Sequence, residues 1–292
     1  MNICFIGGGN MATALIGGLL GKGFSAAQIS VVEIDAANRE RLKSTYDNIV
    51  VFAEQDQLTI AKSDVVVLAV KPQHMEAVAV QLGEMLSAGT IVLTIAAGIR
   101  IKNLAKWLGN QNQGFVLVRA MPNTPALVRA GIAGLYSFPL KEMLTPQQLK
   151  QIETIMGAVG SFVWVRSEGD MDAVTAVSGS GPAYFFYFIE ALEQAGKELG
   201  LPEKTARTLA LETALGAAKL AHESTENPAT LRARVTSKNG TTERALLSME
   251  ANHVKQHIIT AAHAAAARSR EMGDELGDEL GDELGGESEG NQ

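Results

Sequence analysis

The stretch Asn2–Ala12, NICFIGGGNMA, constrains this chain more than any other. Four apolar residues, Ile3–Ile6, run straight into glycines, and an apolar helical pattern (Leu15, Leu19, Leu20) follows. A strand that ends in glycine and passes at once into a helix makes a tight βα turn. Gly7 permits that turn, Gly9 lets a phosphate approach the backbone, and Ala12 lets the helix lie close on the strand. The helix begins with unpaired N–H groups and the positive end of its dipole, which together favour an anion. The spacing Gly7-x-Gly9-x-x-Ala12 therefore predicts a turn that holds the pyrophosphate of a dinucleotide.

Downstream, strand and helix patterns alternate. Strands are expected at Ile29–Ile34, Ile49–Phe52, Asp64–Val70, Thr90–Ile95, Phe115–Met121, Gly131–Tyr136 and Ser161–Val165. Helices are expected at Ala36–Tyr46, Gln73–Leu86, Ile101–Leu108 and Thr145–Gly157, the last with Thr145 as its cap and Pro146 at its first position. The unbroken apolar runs DVVVLAV and TIVLTI mark parallel strands buried on both faces. This alternation predicts a doubly wound α/β, Rossmann-type domain over residues 1–166. From Glu168 strand patterns stop. Asp170–Val177, Ala183–Leu199, Glu203–Glu223, Pro228–Val235, Thr241–Glu250 and Val254–Met272 read as helices, so an all-α domain is expected over 167–272. Its apolar positions exceed what one small bundle buries, which points to a homo-oligomer.

Ligands of such sheets bind beyond the carboxyl ends of the strands. Glu33 and Asp35 stand there after the second strand, about twenty residues past the glycine turn. Acids at this place hydrogen-bond an adenosine ribose and favour NADH, whereas Arg39 nearby suits a 2′-phosphate, so NADPH or NADH is expected. Ala69-Val70-Lys71-Pro72 closes a central strand, and Pro72 keeps Lys71 out of the helical region. Ala97-Gly98 offers close approach to a flat ligand. Asn123, held between Pro122 and Pro125, is placed to bond a nicotinamide amide or the substrate, with a structural turn as the alternative.

Cys4 is the only cysteine and 46% of the residues are hydrophobic. No apolar run of about 18 residues free of charge occurs, and no basic segment precedes the first strand. A cytoplasmic protein with no membrane span and no intrachain disulfide is expected. The net charge of −7 sits at the C-terminus: residues 273–292 carry eight acids and no base, leaving 24 acids against 25 bases elsewhere. No nucleic-acid-binding stripe is present. The tail, which repeats Gly-Asp-Glu-Leu three times, is expected to be largely disordered. The five histidines are scattered, so no metal site is expected.

Two helix starts carry the remaining chemistry. DAVTAVSGSGPAY at Asp172–Tyr184 breaks helical sequence and opens N–H groups and the Ser178 and Ser180 hydroxyls toward something. RVTSKNGTTERA at Arg234–Ala245 places Ser237 and the N–H groups of Gly240, Thr241 and Thr242 at a helix start, where a small carboxylate fits. An ordinary capped helix is the alternative there.

Taken with Gly7–Ala12, Ala69–Pro72 and Met121–Ala126, these two stretches resemble the pyrroline-5-carboxylate reductase family over about Met1 to Met272. The resemblance implies a helical dimerisation domain after the Rossmann domain. It also implies hydride transfer from NAD(P)H to an imino-acid substrate, 1-pyrroline-5-carboxylate, giving L-proline. Gly7, Gly9, Asn10, Met11 and Ala12 would hold the pyrophosphate, and Ala69–Pro72, Ala97, Gly98 and Asn123 the nicotinamide side. Ser178, Ser180, Ser237, Gly240, Thr241 and Thr242 would serve the substrate, with Thr242 the group nearest the imine nitrogen. Lys238-Asn239 departs from the family's Pro-Gly. A β-hydroxyacid dehydrogenase of the same architecture is the alternative enzyme, but no lysine follows Gly181 at the expected place. A nucleotide-binding sensor without catalysis is the alternative outside enzymes.

Overall fold

The computed structural model describes residues 1–109 and 114–282. They divide into two compact units: Met1–Ser180 with the stretch from Ala265 onward, and Gly181–Ala264.

The first unit is built on one eight-stranded sheet. Its strands are β1 (Ile3–Ile6), β2 (Ile29–Val32), β3 (Val50–Phe52), β4 (Val65–Leu68), β5 (Ile91–Thr94), β6 (Val116–Met121), β7 (Gly131–Phe138) and β8 (Gly160–Trp164). They lie in the order β3-β2-β1-β4-β5-β6-β7-β8. All pairs are parallel except β6 with β7. The order reverses between β1 and β4, which makes that junction the switch point where this architecture opens a ligand crevice. The unit's helices are α1 (Asn10–Gly21), α2 (Ala36–Thr45), α3 (Gln57–Ala61), α4 (Met75–Gly83), α5 (Ile101–Trp107), α6 (Pro146–Met156) and α7 (Asp170–Val174).

Alternation along the strands feeds two cores, one on each face. Ile3, Phe5, Val65, Val67, Ile91 and Leu93 meet Leu15, Ile16 and Leu19 of α1 and Ile152 of α6. Cys4, Ile6, Val66, Leu68 and Val92 meet Met75 and Leu82 of α4 and Leu104 of α5. Every residue of β1, β2, β4 and β5 is buried, which is why these strands are apolar but for the hydroxyls of Ser30 and Thr94. The helix over Pro146–Met156 begins as expected. Thr145 accepts from Gln148 N, and the Gln148 side chain reaches back to the cap.

The second unit is helical: α8 (Gly181–Glu198), α9 (Glu203–Glu223), α10 (Pro228–Arg234), α11 (Thr241–Ala251) and the first part of α12 (Val254–Asp282). None of the described helices is long and apolar enough to cross a membrane.

Two expectations need correction. The stretch at Ser178–Pro182 is not an open break: Thr175–Gly179 forms a π turn between α7 and α8, with Ser180 N bonded to Thr175 O at 2.8 Å. One extra residue is absorbed into the helical path instead of ending it. Nor is the start of the acidic tail disordered. The helix expected to end at Met272 continues to Asp282, because Gly273, Asp274 and Leu276 are packed or paired within the first unit. The rest of the tail, 283–292, lies outside the described residues.

Candidate active site

The site begins at the switch point. Gly7 takes φ +100°, and a Cβ there would stand 2.8 Å from Ala69 O, so only glycine fits between the turns after β1 and β4. Gly8 is boxed in as well, its missing Cβ replaced by Leu42. Gly9 differs: nothing lies within 4 Å of where its Cβ would be. Gly9 is also the N-cap of α1, and no side chain caps the helix. An open backbone face beside uncapped N–H groups is a cradle for a pyrophosphate, so this chain fits the dinucleotide its spacing implies. Asn10 and Met11 open the helix on the outside and Ala12 is buried beneath it.

Glu33 turns its carboxylate toward the glycine turn. It is 8% exposed; Oε2 accepts from Gly8 N and Oε1 from Asp35 N, both at 2.9 Å. Asp35 caps α2 by accepting from Asn38 N at 2.7 Å. The two acids shape the glycine turn and the helix that follows. The cations at this turn are Arg39, which donates to the carbonyls of Glu33 and Ile34, and Arg41, which donates to Gly8 O at 3.1 Å.

Ala69, Val70, Lys71 and Pro72 follow β4. Ala69 N donates to Ile6 O, and Lys71 is extended (φ −64°, ψ 147°) and exposed, as Pro72 demands. Ala97 and Gly98 follow β5, with Gly98 at φ +76°. These turns share the carboxyl edge of neighbouring parallel strands. Asn123, after β6, is a brace: Oδ1 accepts from Ile132 N at 2.9 Å and Nδ2 donates to Ser178 O at 3.1 Å. Ser178 donates its hydroxyl to Val174 O at 2.9 Å, so it closes the π turn upon itself. Ser180 lies at the end of that turn.

A partly buried ion pair escaped the sequence reading. Arg119, on β6 and 5% exposed, lies 3.1 Å from Glu168, whose Oε1 also accepts from Ile101 N at 2.6 Å. One carboxylate thus ties the start of α5 to β6. The available signal was an arginine inside the apolar strand VLVRAM.

The second unit carries the remaining residues. Ser237 O accepts from Gly240 N at 3.0 Å across a tight turn, and Asn239 takes φ +59°. A positive φ at that place is what the turn needs, and asparagine supplies it. The Gly240 N–H is therefore committed to Ser237, contrary to the expectation that it would face a carboxylate. Asn239 N is held by Glu243 at 2.7 Å, a partner three residues into the helix that the sequence reading missed. Gly240 is the N-cap of α11, and no side chain caps that helix. Thr241 and Thr242 fill its first turn.

Cys4 is excluded as a nucleophile. Burial pushes its thiol up to about 11, with a hydrogen bond to Ser30 opposing that shift.

Residues 168–272 match the family model for pyrroline-5-carboxylate reductase dimerisation, and residues 2–98 match that for NADP oxidoreductase, coenzyme F420-dependent. A pyrroline-5-carboxylate reductase from Pseudomonas aeruginosa is 46% identical over 272 residues, 93% of this chain and 97% of that one. Among solved structures, a pyrroline-5-carboxylate reductase from Coxiella burnetii aligns with TM-score 0.85 and 39% identity, covering 93% of this chain and 98% of that one. A Plasmodium falciparum pyrroline carboxylate reductase, solved with NADP bound, aligns with TM-score 0.79 and 28% identity over 94% of this chain and 98% of that one. With such identity across nearly the whole of both chains, this chain belongs to the pyrroline-5-carboxylate reductase family and is an NAD(P)H-dependent oxidoreductase of that type.

Proposed function

We propose that this chain reduces 1-pyrroline-5-carboxylate to L-proline in the cytoplasm as a homodimer or an assembly of dimers, with NADPH preferred to NADH. The bound nicotinamide supplies the hydride that the C=N carbon of the substrate accepts. The chain's own residues bind and orient. Gly9, Asn10, Met11 and Ala12 hold the pyrophosphate at the open start of α1. Glu33 keeps the glycine turn in shape through Gly8 N, while Arg39 and Arg41 give that turn the positive charge a 2′-phosphate needs. Ala69–Pro72 and Ala97-Gly98 line the nicotinamide side, with Asn123 bracing the turn beside them.

Ser237 and the N–H groups of Thr241 and Thr242 bind the substrate carboxylate. Thr242 hydrogen-bonds the imine nitrogen. Its hydroxyl is a weak acid, so the substrate binds already protonated and Thr242 holds that proton in place. The observation that carries this reading is the start of α11: a helix of 11 residues that begins at Gly240 with no side-chain cap.

Initial rates of NADPH and NADH oxidation with pyrroline-5-carboxylate test it. Thr242→Ala is expected to lower kcat/KM for the imino acid by about tenfold or more, the loss of one hydrogen bond to a charged group, while NADPH affinity stays unchanged. Weakened cofactor binding with an unchanged imino-acid kcat/KM would remove this loop from the substrate site.

A further inference from the structure

The last described turns of α12 lie against the segment that follows β5. Gly273 packs on Arg100: a Cβ at Gly273 would stand 2.9 Å from Arg100 Nε. Arg100 donates to Arg270 O at 3.3 Å and pairs with Asp274 at 2.6 Å. One turn on, Leu276 Cδ1 lies 2.9 Å from the missing Cβ of Gly98 and joins the core beneath β4 and β5. The same helix is fixed one turn earlier too. Ser269, 6% exposed, donates to Asp172 at 2.8 Å.

Asp274 and Leu276 belong to the first Gly-Asp-Glu-Leu unit. Gly98, at φ +76°, has no side chain of its own to hold it, and Leu276 occupies that side. Arg100 is the residue before α5, whose first N–H is held by Glu168 at 2.6 Å. The segment Ala96–Arg100 is thus pinned at its end by Glu168 and along its length by α12.

We infer that Asp274 and Leu276 are positioning residues for the cofactor: they hold Ala97-Gly98 in the conformation that receives the nicotinamide, acting through Arg100 and Gly98 rather than by touching the ligand. The inference rests on the assignment of Ala97-Gly98 to the cofactor side. It gives the first repeat of the acidic tail a function.

The test uses the full-length enzyme, Asp274→Ala, Asp274→Glu, Leu276→Ala and a truncation ending at Leu276. KM for NADPH is expected to rise about two- to fivefold in Asp274→Ala, the scale of one partly exposed pair, with kcat and the imino-acid KM unchanged. Asp274→Glu is expected to restore it, and the wild-type advantage to shrink in high salt. Leu276→Ala is expected to raise the same KM, and truncation at Leu276 to change nothing. An unchanged KM for NADPH in both alanine variants overturns the inference. So does a fall in kcat and both affinities in step with melting temperature, which is a structural role alone. Direct NADPH binding, followed by nicotinamide fluorescence, reads the same effect without turnover. A wild type that binds NADPH but does not reduce the imino acid therefore counts against the proposed reaction and not against this inference.

Discussion

Glu33 carries a structural role that its position in the sequence alone did not signal. Its position at the end of the second strand matched an acid that reads a ribose. That reading depends on where the carboxylate points, which is decided by Gly8 N and Asp35 N, and neither is visible in a pattern of residue types. Two backbone donors at hydrogen-bonding distance hold it. Removing the carboxylate would leave a buried N–H without a partner, at a cost of about 1–3 kcal/mol. Glu33→Ala is therefore expected to lower the melting temperature and to weaken NADPH and NADH together, as the glycine turn loosens. Thermal unfolding and binding of each cofactor check this; a loss confined to NADH would return Glu33 to the ribose. The glycines themselves were legible, because φ and steric room at Gly7 are local properties. The commitment of Gly240 N to Ser237 was not, since a turn's hydrogen bond follows from its geometry and not from its composition.

Among elements, legibility followed the strength of local start and stop signals. The strands of the central sheet came through because burial on both faces makes them almost wholly apolar. The antiparallel partnering of β7 had no such signal, since pairing direction is a property of two strands. α12 was cut short for a different reason. Glycine and acid content argued for disorder, but the spacing of Leu276, Leu280 and Leu284 by four residues also matches one helical turn. Packing on Arg100 and Gly98 tipped the balance for the first repeat.

α6 begins with a full capping box at Thr145, whereas α1 and α11 begin at glycines that leave their N–H groups open. Thr145→Ala is expected to cost about 1 kcal/mol of stability with both KM values unchanged. Chemical denaturation beside steady-state rates checks it, and a shift in KM would mean that α6 bears on the site.

At the scale of the molecule, the second unit exposes more apolar surface than a solitary domain tolerates. Phe185, Phe186 and Tyr187 follow one another on α8 at 67%, 64% and 76% exposure, and Leu209 and Leu215 of α9 are at least half exposed. Large apolar side chains left exposed in this number mark an interface. The family model that matches 168–272 is one of dimerisation. The sequence pattern had already shown an excess of apolar helical positions, because that excess is a count; which side chains form the face required the helices in place. Burying a large apolar side chain contributes about 1.5–3 kcal/mol, so several such residues favour association between copies of the chain. Phe186→Glu removes one of them and adds a charge with no partner. A loss of about 2 kcal/mol corresponds to a roughly thirty-fold rise in the dimer dissociation constant. Light scattering across a dilution series is expected to show that shift, with helical circular dichroism retained. An unchanged dissociation constant would put the subunit contact on another face of the second unit.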